Sequence, residues 1–258
     1  MALKGITRAL DVLAHIAVNP GRASDIADRM GVAWATMHRT LSQLEKGGFL
    51  RREPDTNRYV IGQKMWMIGS AYMANHPTFN KALPYLSDAV IRSQAIVQFV
   101  ERVDYSAIAL FTQSATHELL PMTTLGYAIP LHAGSKGQVL LAFAEPEFIE
   151  DYLSRPLAKL TPKTITDPNA LRDRLAEIRG IGYSETEADV QVFTRSVAAP
   201  VFDRTGAAVA AVSFIEMRSD TAAASRKPKQ VELVCHIANS ISTALDWRPG
   251  SRWATAGA

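Results

Sequence analysis

A chain of 258 residues that is 47% hydrophobic and 21% charged has the composition of an ordinary soluble globular protein and the length of two domains. That balance excludes intrinsic disorder, and the single cysteine, Cys235, excludes an intrachain disulfide and a multi-cysteine zinc cluster. The net charge of +3 is unevenly placed: residues 1–75 hold ten Lys or Arg against six Asp or Glu, while the remaining 183 hold 18 against 19, and clustered cations favour a polyanionic partner for the N-terminal part.

No secretory leader pattern opens the chain, and no apolar run approaches about eighteen residues; a cytoplasmic protein without a membrane partner is expected. Ile6, Ala9, Leu10, Leu13, Ile16 and Ala17 recur at helical spacing and predict an amphipathic first helix, broken by Asn19-Pro20-Gly21. A short second helix opens near Ser24 and carries Ile26, Ala27 and Met30 inward before Gly31 turns the chain. In the third, Met37, Leu41 and Leu44 sit at i, i+4 and i+7, and Gly47-Gly48 stops it. Trp34 lies on the same stripe and is expected in the core, whereas Thr36, His38, Arg39 and Gln43 lie mostly off it. Phe49-Leu50-Arg51-Arg52 and Arg58-Tyr59-Val60-Ile61 read as strands joined by the turn Pro54-Asp55-Thr56-Asn57. Residues 63–73 read as a further helix, ended by Asn75-His76-Pro77.

Downstream the pattern mixes types. Helices are expected over 85–92, 171–179 and 230–245, with an apolar helix to Phe143 after the small-residue turn 132–135. Strands are expected over 96–103, 106–111, 197–202 and 207–214, the last two flanking the hairpin sequence Asp203-Arg204-Thr205-Gly206. This order indicates an α+β domain. The expected organisation is a winged helix-turn-helix over 1–62, a linker helix over 63–76, the α+β domain over 77–248 and a loose tail over 249–258.

The N-terminal pattern carries a recognisable chemistry. A helix fits the major groove of DNA and reads base edges through polar residues on its outer face, provided a second helix braces it. Thr36, His38, Arg39 and Gln43 are the candidate contacts, with Arg39 foremost because its fork can meet guanine or phosphate. Arg51, Arg52 and Arg58 place cations on the wing. An enzyme, or a ligand-binding protein using the C-terminal domain alone, is the competing expectation. The histidines at 15, 38, 76, 117, 132 and 236 show no metal-ligand spacing. Cys235 falls within the apolar pattern Val231, Val234, Ile237, Ile241, as a core residue would, and Glu185 with Glu187 reads as a solvated acidic loop. No phosphate-binding glycine loop is present, so neither catalytic residues, nor a metal, nor a cofactor is expected.

Several segments together resemble the IclR family of bacterial regulators: Ile6-Thr7-Arg8-Ala9-Leu10, the helix-turn-helix from Ala23 to Lys46, Gly48-Phe49-Leu50 and Tyr59-Val60-Ile61-Gly62. Pro130-Leu131-His132-Ala133-Gly134-Ser135-Lys136-Gly137, Thr164-Ile165-Thr166-Asp167, Ile178-Arg179-Gly180-Ile181-Gly182-Tyr183 and Ala198-Ala199-Pro200-Val201-Phe202-Asp203 continue the likeness. The resemblance implies a homodimer or dimer of dimers on a near-palindromic operator in double-stranded DNA. It also implies a GAF-like C-terminal domain holding a small organic acid effector. By position it assigns Leu119, Ser135, Lys136, Thr186, Thr194, Ser196 and Ser213 to the effector cavity. The residues add that free amides at the start of the helix after Gly134-Ser135 would attract a carboxylate, beside the Lys136 cation. The chain departs from many relatives around Tyr183 and at Phe193; Phe193 and Phe111, if they border the cavity, would favour an aromatic acid.

Overall fold

The computed structural model describes residues 2–115, 125–218 and 221–248, and the chain divides into two compact units, Met1–His76 and Pro77–Ala258. Leu119 and the tail 249–258 lie outside the described residues. No helix among the described residues is long and apolar enough to cross a membrane.

The first unit runs α1 (Ala2–Val18), α2 (Ala23–Met30), α3 (Trp34–Lys46), β1 (Leu50–Arg52), β2 (Tyr59–Ile61) and α4 (Gln63–Ala74). Its core is small: Val12, Ile16, Ile26, Ala27, Met37, Leu41, Leu50 and Tyr59. That size limits how much of α1 is covered. Val12 and Ile16 are buried, but Ile6 and Leu10, expected on the same stripe, remain 65% and 61% exposed, because the first turns of α1 overhang the core. Gly31 caps α2 at φ 61°, a left-handed conformation that favours glycine, and its amide donates to the Asp28 carbonyl at 3.2 Å. Gly62 is fixed by proximity. A Cβ there would stand 2.4 Å from the Gly48 carbonyl oxygen, so the base of the hairpin seats directly on the end of α3. α4 buries none of its residues, leaving Trp66, Met67, Ile68 and Tyr72 exposed.

The second unit contains α5 (Pro77–Ser93), β3 (Ile96–Val103), β4 (Ser106–Ser114), β5 (Ala128–Pro130), α6 (Gly134–Ala142), α7 (Pro146–Leu153), α8 (Pro168–Ile181), β6 (Ser184–Glu187), β7 (Thr194–Phe202), β8 (Ala208–Met217) and α9 (Thr221–Ala244). The strands form an antiparallel six-stranded sheet in the order β5-β4-β3-β8-β7-β6. Alternation along each strand feeds two cores. Val100, Ala198 and Ala211 pack with α6, α7 and α8 on one face; Phe99, Val197, Val212 and Phe214 pack with α5 and α9 on the other. α6 is buried along its whole length, which explains why its sequence is apolar with little helical periodicity. Cys235 packs in the second core, and burial pushes its thiol up to about 11. The fold is thus a winged helix-turn-helix followed by an α+β domain.

Candidate nucleic-acid interface and effector site

α3 is held from below by Met37 and Leu41 and braced by Ile26 and Ala27 of α2. His38, Arg39 and Gln43 are exposed on its outer side, while Thr36 is half-buried and its carbonyl accepts the Thr40 hydroxyl at 3.0 Å. Trp34 corrects the sequence expectation: it is 59% exposed. It is the first residue of α3, and helical side chains lean toward the N-terminus, so the indole projects past the edge of the core. There it stacks on His38, with ring centroids 5.0 Å apart.

The three wing arginines are exposed but play different parts. Arg51 stands opposite Val60 and Arg52 opposite Tyr59; adjacent strand residues point to opposite faces, so the two guanidinium groups diverge. Arg52 turns toward the Tyr59 ring, 6.0 Å from its centroid. Arg58 is a brace, its Nη2 donating to the Pro20 carbonyl at 2.8 Å, and Arg22 clamps the other end by donating to the Thr56 carbonyl at 3.1 Å. Between α3 and the hairpin lies a concavity of about 370 Å³ bordered by Arg22, Ser24, Trp34, His38, Arg52 and Asn57. Cations and a flat aromatic pair share this notch, which suits phosphate and sugar contacts.

In the second unit, Ser135, Lys136, Thr194, Ser196 and Ser213 surround one void with Gly134, Ile129, Val190, Gln191 and Ile215. Its free space is about 30 Å³, room for one water. The Ser135 hydroxyl donates to Ser196 Oγ at 2.8 Å, and Thr186 Oγ1 lies 3.0 Å from Ser196 Oγ while accepting the Ser135 amide at 3.1 Å. Ser213 Oγ is buried with no hydrogen-bond partner. Lys136 is 6% exposed; its Nζ donates to Gln98 Oε1, and burial lowers its pKa to about 8.

The amides expected to be free are occupied. The Gly134 amide donates to Asp189 Oδ2 at 2.8 Å and the Ser135 amide to Thr186, so the start of α6 already holds an internal carboxylate. Asp189 Oδ2 also accepts the Gln138 side-chain amide at 3.2 Å, Oδ1 is buried without a partner, and burial raises the carboxyl pKa. Thr161 and Thr164 hold the turn beneath it by donating to the Ala188 and Asp189 carbonyls at 2.6 and 2.7 Å. Phe111 packs against the core on the opposite face of the sheet and Phe193 is exposed; neither borders the void. Glu185 and Glu187 lie on β6 rather than in a loop, with Glu187 accepting from Arg218 at 2.8 Å. His132 is buried, one ring nitrogen 2.8 Å from the Tyr152 hydroxyl and the other 2.9 Å from the Ala158 carbonyl.

The family model of the IclR helix-turn-helix domain matches residues 5–54, and that of the bacterial transcriptional regulator IclR C-terminal domain matches residues 70–243. The chain belongs to the IclR family of transcriptional regulators. Among named relatives it is 31% identical over 214 residues to the HTH-type transcriptional regulator BhcR of Paracoccus denitrificans, covering 82% of this chain and 76% of that one. It is 28% identical to the HTH-type transcriptional repressor AllR of Klebsiella pneumoniae, covering 95% and 91%. An IclR homolog from Microbacterium hydrocarbonoxydans, solved in complex with 4-hydroxybenzoate, superposes with a TM-score of 0.79 at 27% identity over 94% of this chain and 99% of that one. Membership in the IclR family makes the N-terminal unit a DNA-binding domain and the second an effector domain of the GAF-like kind.

Several residues of this IclR-family site escaped the sequence reading. Gln98 and Asp189 hold the void's Lys136 and Gly134 through pairings that span 38 and 55 residues, which no local pattern announces. Arg22 does carry a local signal, a cation directly preceding α2.

Proposed function

We propose that this regulator reads a near-palindromic operator with α3 and the hairpin, as a homodimer or dimer of dimers, and that a compact organic acid in the void at the start of α6 sets its affinity. Arg39, His38 and Gln43 face the groove, Thr36 supports them from the edge, Arg51 and Arg52 meet backbone on the two sides of the hairpin, and Arg58 orients it. The exposed apolar residues of α1 and α4, Ile6, Leu10, Trp66 and Tyr72 among them, support contact with a second copy. α4 then carries the effector's influence to the spacing of the two reading heads, which requires that the ligand favour one of two arrangements.

The observation that carries the effector half is the convergence of Ser135, Lys136, Thr194, Ser196 and Ser213 on one void. As it stands the void has room for one water, so an acid enters by displacing the internal bonds among Ser135, Thr186 and Ser196. Salt-dependent binding to a promoter fragment tests the first half: the Arg39→Ala, Thr36→Ala double variant keeps its fold and loses operator affinity, and unchanged affinity would reject α3 as the reading element. A thermal-shift screen of small acids tests the second, since a true ligand stabilises the folded protein by mass action. Saturating ligand that leaves operator affinity unaltered would reject the coupling.

A further inference from the structure

The sheet of the second unit carries a larger cavity on the face away from the void. Val197 and Phe214 pack in the core beside α9, and alternate strand residues share a face. Glu185, which pairs with Val197 in register, and the cross-strand pair Arg195 and Glu216 therefore lie on that side too. Together with Gln230 of α9 these residues border about 260 Å³ of free space, room for about nine waters. Ser196 is the residue shared with the void, because β7 is the wall between the two.

Two polar groups of this cavity are buried and lack a hydrogen bond. Gln230 is 5% exposed, and its side-chain nitrogen donates to the Ser93 carbonyl at 2.7 Å and to Glu216 Oε1 at 3.1 Å. Both partners are acceptors only, which fixes the orientation of the amide. Its Oε1 is left buried with no hydrogen bond among the described residues. Arg195 donates through Nε to Glu216 Oε2 at 3.1 Å. Its Nη2 stands 3.1 Å from that same oxygen but outside hydrogen-bonding geometry, so this donor too is buried and unsatisfied. Buried groups in that condition cost stability unless something meets them, and here one is an acceptor and the other a donor.

We propose that this cavity is a second ligand site, separate from the void, that binds a small α-amino acid as its zwitterion. The ammonium donates to Gln230 Oε1 and the carboxylate accepts from Arg195 Nη2, so each end supplies what the protein group lacks. Val197 and Phe214 offer an apolar floor to a short aliphatic side chain. The surrounding charges select a ligand of zero net charge. Glu185, Glu187 and Glu216 outnumber Arg174 and Arg195 at the cavity, so a dicarboxylate meets repulsion, while a simple amine leaves Arg195 Nη2 unmet.

Isothermal titration calorimetry of the full-length protein with L-valine tests the assignment. Valine binds at one site per chain. Isobutylamine and isovalerate, which each lack one of its two charged groups, bind more weakly by about tenfold or more, and so does L-glutamate. Arg195→Lys keeps a cation beside Glu216 but removes the Nη2 donor; it weakens valine binding by about tenfold with an unchanged far-UV circular dichroism spectrum. Gln230→Met has the same effect on valine. It also severs the tie to Ser93, so its fold is checked in the same way, and Arg195→Lys carries the test should it unfold. Absence of binding by valine, alanine and leucine at millimolar concentration overturns the proposal. So does isovalerate binding as tightly as valine, which would leave the ammonium without a role. Loss of valine binding in Lys136→Met with its retention in Arg195→Lys would assign the amino acid to the void and overturn the second site.

Discussion

The reading face of the first unit and the void of the second use polar side chains in opposite ways. On α3 and the hairpin, Arg39, Gln43 and Arg51 are exposed, so their contacts are formed with whatever the surface meets. Around the void nearly every polar atom is already paired within the chain: Ser135 with Ser196, Thr186 with the Ser135 amide, Asp189 with Gly134 and Gln138. The first arrangement gains affinity by adding interactions to an exposed surface. The second changes only by exchanging one set of buried bonds for another, which suits a switch with discrete states.

Gly62→Ala separates the rigid support from the adjustable surface most sharply. The added Cβ meets the Gly48 carbonyl at 2.4 Å, and the variant loses about 3 kcal/mol in urea unfolding; an unaffected midpoint would mean that the hairpin does not seat on α3. Lys136→Met probes the buried side. The folded pKa, about 8, lies below the 10.5 of the free side chain, so folding disfavours the protonated amine. That penalty is complete below about 8 and vanishes as pH rises toward 10.5. After about 1 kcal/mol is deducted for the lost Lys136–Gln98 bond, the variant gains about 2 kcal/mol at neutral pH. The gain shrinks and then reverses in alkali, and a gain independent of pH would contradict a charged buried lysine. Arg39→Ala weakens operator binding by about 2 kcal/mol. A reduced salt slope assigns the residue to phosphate, an unchanged one to a base edge. Asp189→Asn, which keeps one acceptor for the Gly134 amide, costs about 1 kcal/mol, whereas Phe193→Ala changes thermal stability by less than about 0.5 kcal/mol.

The same contrast governs how much was legible in the sequence. The first unit is built from neighbours: Met37, Leu41 and Leu44 mark α3, Gly31 marks the turn, and Pro54 to Asn57 marks the hairpin. Each is readable within a few residues. Trp34 failed because periodicity assigns a face and not the extent of the core beneath it. In the second unit, strands such as β3 were legible from their apolar content, but α5 begins eight positions before the expected 85, its first turns obscured by Pro77 and Pro84. β5, with three residues, offers too short a pattern to register. The sheet order brings β3 beside β8, a pairing that no local feature encodes, and with it Gln98 beside Ser213. For the same reason Glu185 and Glu187 were assigned to a loop: only their register with Arg195 and Val197 makes them a strand.

The bond from Asp189 to the Gly134 amide, 55 residues apart in sequence, means that the chain supplies its own ligand to the end of α6. A tethered group behaves as though dissolved at an effective concentration on the order of millimolar. If the proposed acid binds at that amide it meets a built-in rival, and weakening the one internal bond is then expected to tune the response to scarcer compounds without redesigning the pocket.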